Sequence, residues 1–108
     1  MADWQSEIQT EFERAELARQ RNNEGQARVC ARRAAGIAIR EYLSRRGIRP
    51  PSTSAHDLLN FIKEDPLLPA DLRQTAAYLT LRVTEEFKLP VDVDLVAKSR
   101  EFCDELLK

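Results

Sequence analysis

The stretch that decides the fold is "ARVCARRAAGIAIREYLSRRG", Ala27 to Gly47. Small apolar residues recur in it every three or four positions, which is the period of an α-helix that buries one side. Its five alanines allow a neighbouring helix to approach near the closer end of the ~8–10 Å range. Gly47 suits the left-handed position that follows a helix C-terminus. The stretch therefore predicts a central helix, from Gln26 to about Arg46, that packs on several sides.

A first helix is predicted before it, from about Asp3, a good N-cap, to about Asn22. The turn "NNEG" then lets the chain reverse. The expected buried stripe of the first helix is Trp4, Ile8, Phe12, Ala15 and Ala18.

Prolines and caps divide the second half of the chain into three further helices. "RPPSTS" cannot be helical and reads as a connector, after which Ser54 caps a short third helix that Pro66 stops. Pro69 fits the first position of a fourth helix, predicted to run to about Leu89. Asp92 or Asp94 opens a fifth.

These predictions define an all-α protein. At 108 residues the chain is long enough for one core, so residues 1–108 are expected to form a single domain. Short connections imply antiparallel neighbours. We expect an up-and-down four-helix bundle with an additional short helix, five helices in all.

Several classes of function are disfavoured by composition. The longest apolar run, Ala34 to Ile39, is too short for a membrane span, and the acidic N-terminus is unlike a targeting signal, so we expect a cytoplasmic protein without membrane contact. Cys30 and Cys103 lie far apart without a CxxC spacing and are expected to be buried thiols. The glycines form no phosphate loop, and neither a metal nor a cofactor is expected.

Charge is segregated along the chain. Residues 1–18 carry a net −4, residues 19–49 a net +7 with nine arginines, and residues 50–108 a net −4. Arg28 and Arg32 on the central helix repel slightly at four-residue spacing, and Arg33 and Arg40 share another polar strip. An anionic group is therefore expected near them.

Three sources of that group stay open. Acids of the first or fifth helix could pair with the arginines, for example Glu11, Glu13, Glu101 or Asp104. The others are an acidic face of a partner protein and the phosphates of RNA. The only histidine, His56, begins the third helix, where a surface or capping role and a functional contact are both open.

The order and spacing of these segments resemble the HEPN family of small helical bundles. "FERAELARQRNNEGQARVCARRAAGIAIREYLSRRGI" is similar to the family's first two helices, "SAHDLLNFI" to the start of its third, and "AAYLTLRVTEEFKLP" to its fourth. The resemblance implies a homodimer and a partner of the nucleotidyltransferase type.

Members of that family that cleave RNA use an Arg with a His about four to six residues later, because imidazole exchanges a proton readily at neutral pH. Arg82 matches that arginine, but "VTEEFKL" follows it and contains no histidine. Lys88 would be a poor base, and His56 lies on a different helix. The resemblance therefore implies a module without catalytic residues.

The leading hypothesis is a non-catalytic homodimeric binding module for a nucleotidyltransferase-type protein or for RNA. Its candidate contact residues are Arg28, Arg32, Arg33, Arg40, Arg82 and His56. A toxin-like, metal-independent endoribonuclease with an altered site is the alternative from the enzyme class. A helical scaffold protein without a ligand is the third.

Overall fold

A computed structural model describes residues 3–81 and 93–108 of the chain. Within these residues, all of the regular secondary structure is helical. It consists there of α1 (Trp4–Gln20), α2 (Glu24–Arg45), α3 (Ala55–Ile62), α4 (Ala70–Leu79) and α5 (Leu95–Leu106). The predicted all-α class is confirmed for this part of the chain.

Side-chain caps begin four of these helices. Asp3 accepts a hydrogen bond from the Ser6 amide (2.8 Å), and Ser54 accepts one from the Asp57 amide (3.3 Å). Both predicted N-caps are thus confirmed. Of the two acids proposed for the start of α5, Asp94 is the cap, since it accepts from the amides of Val96 and Ala97. The cap of α2 is Asn23.

Three predicted boundaries are wrong. Helix α2 begins at Glu24, two residues before Gln26, because the Asn23 side chain accepts from the Gln26 amide and so caps an earlier turn. Helix α4 begins at Ala70 with Pro69 as its N-cap, and it ends at Leu79, well before the predicted Leu89.

The end of α4 has a local cause. The Thr80 hydroxyl donates to the Ala77 carbonyl (2.7 Å), and Arg32 donates to the Leu79 carbonyl (2.7 Å), so carbonyls at this end are satisfied without a further helical turn. Residues 82–89, which complete the predicted fourth helix, lie outside the described residues.

Helix α2 ends as predicted, at a glycine in the left-handed region. Gly47 has a φ of 69°. Its amide donates to the Ser44 carbonyl and the Ile48 amide donates to the Leu43 carbonyl. This pair of bonds is the Schellman arrangement, which favours glycine because glycine has no Cβ.

Helix α2 is the centre of the core and contacts each of the other four helices. Its residues Cys30, Ala34 and Ala38 are fully buried. The predicted burial of both cysteines is confirmed, and both are free thiols. The buried Ser99 hydroxyl donates to the Ala31 carbonyl (2.8 Å), which ties α5 to α2.

Helices α2 and α3 approach each other closely at Gly36. A Cβ added there would lie 2.9 Å from the Ala55 Cβ and 3.0 Å from the Ala55 Cα. The start of α3 therefore rests almost directly on the backbone of α2.

In residues 3–81 and 93–108, no helix is both long and apolar enough to cross a membrane.

Candidate functional site

A groove of about 480 Å³ lies between the middle of α2 and the chain that enters α3. Four of the six candidate contact residues line it, namely Arg32, Arg33, Arg40 and His56. We call it the basic groove. The structure thus brings together residues from two helices that the sequence separates by at least sixteen positions.

The local fold explains why these side chains meet. Arg33, Gly36 and Arg40 follow one another at three- and four-residue spacing, so they share a face of α2. Gly36 lets Ala55 approach that face. The Ser54 cap fixes the first turn of α3, which places His56 at the edge of the groove.

Arg33 and Arg40 are accessible from solvent, since Arg33 is exposed and Arg40 is partly exposed. Neither forms an ion pair with an acid within residues 3–81 and 93–108, and the same holds for Arg28. Guanidinium groups in that position can donate paired hydrogen bonds to a carboxylate or a phosphate.

One carboxylate belongs to the wall of the basic groove. Glu11 is only 7% exposed, and its nearest cation is Arg14 on the next turn of α1, at 3.4 Å. Glu11 is one of the acids predicted to pair with the arginines of α2, but its ion pair is with Arg14. Likewise Glu101 pairs with Lys98.

Arg32 differs from Arg33 because two of its N–H groups donate hydrogen bonds to backbone carbonyls of the same chain. Its Nε donates to the Leu79 carbonyl (2.7 Å) and its Nη2 to the Leu81 carbonyl (3.2 Å). Partial burial lowers the pKa of the Arg32 guanidinium, and the positive charge of Arg28 lowers it further. The anionic partners expected for Arg32 are therefore replaced by two backbone carbonyls at the end of α4.

Of the two remaining candidate residues, Arg28 and Arg82, the structure describes only Arg28. Arg28 is partly buried on α2 and does not line the groove. Arg82 and Lys88, which carry the comparison with the ribonuclease motif, lie outside the described residues.

Sequence reasoning missed a charged cluster formed by Arg19, Glu24 and Asp94. Arg19 contacts Glu24 at 2.7 Å and Asp94 at 2.6 Å, so it joins the end of α1 to the first turn of α2 and to the cap of α5. Hydrogen bonds to Glu24 and then Asp94 raise the pKa of Arg19, and the bond from Arg19 lowers the pKa of Asp94. The 75 positions between Arg19 and Asp94 explain why no local signal reveals the pair.

Among residues 3–81 and 93–108, no three His, Cys, Asp or Glu side chains are grouped so that they could hold a metal ion. Comparison of the chain with protein-family models, with curated proteins and with solved structures finds no match. Fold and site together define an all-α protein with a basic groove beside its central helix.

Proposed function

We propose that this chain is a non-catalytic, HEPN-like helical binding module whose basic groove accepts an anionic group of a partner macromolecule. The observation that supports the proposal is the convergence of Arg33, Arg40 and His56 at one groove. An anion there would gain charge-assisted hydrogen bonds from two guanidinium groups without first displacing a carboxylate described in the structure.

The lining of the groove favours an acidic protein surface over RNA. Beside the charged residues it contains aliphatic side chains and the hydroxyls of Thr53 and Ser54. Among the described residues its lining has no Phe, Tyr or Trp, and the imidazole of His56 is its one aromatic ring. Single-stranded nucleic acid is usually held by stacking on aromatic side chains as well as by charge. We therefore prefer a protein partner with an acidic surface. The resemblance implies that this partner is of the nucleotidyltransferase type.

The test uses two fluorescent probes, an acidic peptide of Glu and Asp residues and a single-stranded RNA. The double variant Arg33→Ala/Arg40→Ala should weaken binding of the acidic peptide at least about tenfold, as expected when two charged contacts are lost. The matched control is Arg21→Ala/Arg49→Ala, which removes the same charge from two exposed positions that do not line the groove. Equal losses in both double variants would assign the binding to net charge and contradict the groove.

RNA gives a different signature. If the partner were RNA, affinity for the RNA probe would exceed that for the peptide and would fall steeply with salt. We expect the labelled RNA to stay intact during the incubation. Cleavage that disappears in Arg82→Ala would replace the module by the toxin-like endoribonuclease.

The proposal includes the arrangement that the resemblance implies, an up-and-down four-helix bundle that forms a homodimer in the cytoplasm. The central position of α2, in contact with all the other described helices, is consistent with a bundle. Sedimentation at micromolar concentration should detect a species of two chains. A strict monomer would count against the homodimer.

A further inference from the structure

A second groove lies between α1 and α5. Its main part has a volume of about 670 Å³, and an adjoining part of about 290 Å³ extends it to Trp4 and Leu107. The two parts share Gln5, Ile8, Cys103 and Asp104 as lining residues. We call the whole surface the α1–α5 groove.

The groove has the length and form that suit a helix. Its lining residues on α1 run from Trp4 to Gln20, which is the whole of that 17-residue helix, or about 25 Å at the rise of an α-helix. Helices α1 and α5 both pack on α2 but touch each other at few positions. Two helices held apart in this way offer a trough for the ridge of a third.

Apolar side chains line the trough and are partly solvated. Leu17 is 50% exposed although Ala15 and Ala18 close to it on α1 are buried. Ile8 and Trp4 are partly exposed beside it. A partner helix that covered them would gain the free energy of burying this apolar surface.

The charge of the groove selects the partner. Its lining contains three acids, Glu13, Glu16 and Asp104, against one base, Arg100. The Arg100 guanidinium stacks on the Phe12 ring at 4.5 Å and pairs with Glu16 at 3.5 Å. Within the described residues Glu13 and Asp104 form no ion pair, so two negative charges face the opening.

From this combination we infer that the α1–α5 groove docks an amphipathic helix of a partner protein, with an apolar face and with Lys or Arg along its edges. The apolar face covers Leu17, Ile8 and Trp4. The basic edges approach Glu13 and Asp104. This docking site is separate from the basic groove and does not depend on the function proposed for it.

The probe is a synthetic peptide of about 18 residues with leucines three and four positions apart and lysines flanking them. A copy with Glu in place of every Lys serves as its charge-reversed counterpart. Binding to the full chain is followed by anisotropy of a dye on the peptide and by the fluorescence of Trp4, the single tryptophan. The Lys peptide should bind at least about tenfold more tightly than the Glu peptide.

Two variants locate the binding. Leu17→Lys should weaken the Lys peptide at least about tenfold, as for loss of a central apolar contact. Its matched control is Leu67→Lys, at a leucine that is 74% exposed in the turn before α4. The double variant Glu13→Lys/Asp104→Lys should reverse the preference between the two peptides. Circular dichroism checks that each variant is folded, and Leu17→Ala repeats the test with a milder change.

Specific results would overturn the inference. Equal affinity for the two peptides, or equal losses from Leu17→Lys and Leu67→Lys, would show that the groove does not select a basic helix. Self-association of the chain that Leu17→Lys abolishes and the Lys peptide does not inhibit would assign the groove to a second copy instead. Absence of binding at millimolar peptide would also reject it.

Discussion

The two grooves differ in how closely their helices approach. At the basic groove, α2 and α3 approach so closely that a Cβ added at Gly36 would lie 2.9 Å from the Ala55 Cβ. The α1–α5 groove is lined by larger side chains, among them Phe12, Leu17 and Arg100. Small residues close a contact between helices, and large ones leave a surface that something else can cover.

The largest expected difference in stability is between two Leu→Ala substitutions, one in α3 and one in the α1–α5 groove. Leu58 of α3 is fully buried, so Leu58→Ala should lower the free energy of unfolding by about 2–5 kcal/mol. Leu17→Ala, at a half-exposed position of α1, should cost less than about 1 kcal/mol. Urea denaturation followed by circular dichroism measures both. Similar losses would mean that the α1–α5 groove is filled in solution.

The second prediction compares adjacent arginines of the basic groove. Arg32→Ala removes two hydrogen bonds to carbonyls at the end of α4 and should cost about 1.5–3 kcal/mol, as for bonds with a charged donor. Arg33→Ala should change stability by no more than about 0.5 kcal/mol, because Arg33 is exposed. Thermal unfolding of the two variants decides it. An equal effect would contradict the division of the two residues between structure and binding.

The third prediction tests the close approach itself. A methyl group in Gly36→Ala would collide with Ala55, and overpacking should exceed the gain in helix propensity, for a net loss of about 1–2 kcal/mol. Gly25→Ala is the control in the same helix, since its nearest neighbour would be the Asn23 Oδ1 at 3.8 Å. It should be neutral or slightly stabilising. A gain in stability at Gly36 would contradict the close contact.

Local signals in the sequence were enough for much of the fold. The helical period of α2, its glycine stop and the caps Asp3 and Ser54 each depend on residues within one turn of one another. The end of α4 was predicted wrongly because Arg32, which satisfies its last carbonyls, lies 47 positions earlier. Contacts of that range leave no periodic pattern.

The candidate site was predictable to the same extent. The arginine pattern identified Arg33 and Arg40, and the Ser54 cap placed His56 at the start of a helix. That these residues share a groove depends on Gly36 and on how α3 crosses α2. The interior pairing of Arg32 depends on α4, and the α1–α5 groove depends on two helices that the sequence separates by most of its length.

The smallest expected effect on stability comes from the ion pair between Arg19 and Asp94, which joins α1 to the start of α5. Arg19 of α1 pairs with Asp94, the cap of α5, and this bond lowers the pKa of Asp94. A carboxylate with a lowered pKa stabilises the fold at pH values above its unfolded pKa, and that contribution is lost as the pH falls through the folded pKa.

Asp94→Asn retains an oxygen that can cap α5 but loses the charge. Since the Asp94 side chain is 51% exposed, the pair should contribute no more than about 1 kcal/mol at neutral pH. The difference in unfolding free energy between Asp94→Asn and the unsubstituted chain should shrink as the pH falls below about 4 and should also shrink in high salt. Asp94→Ala loses the cap as well, so part of its deficit should persist at low pH. If the Asn variant showed a deficit independent of both pH and salt, that deficit would not come from the ion pair between Arg19 and Asp94.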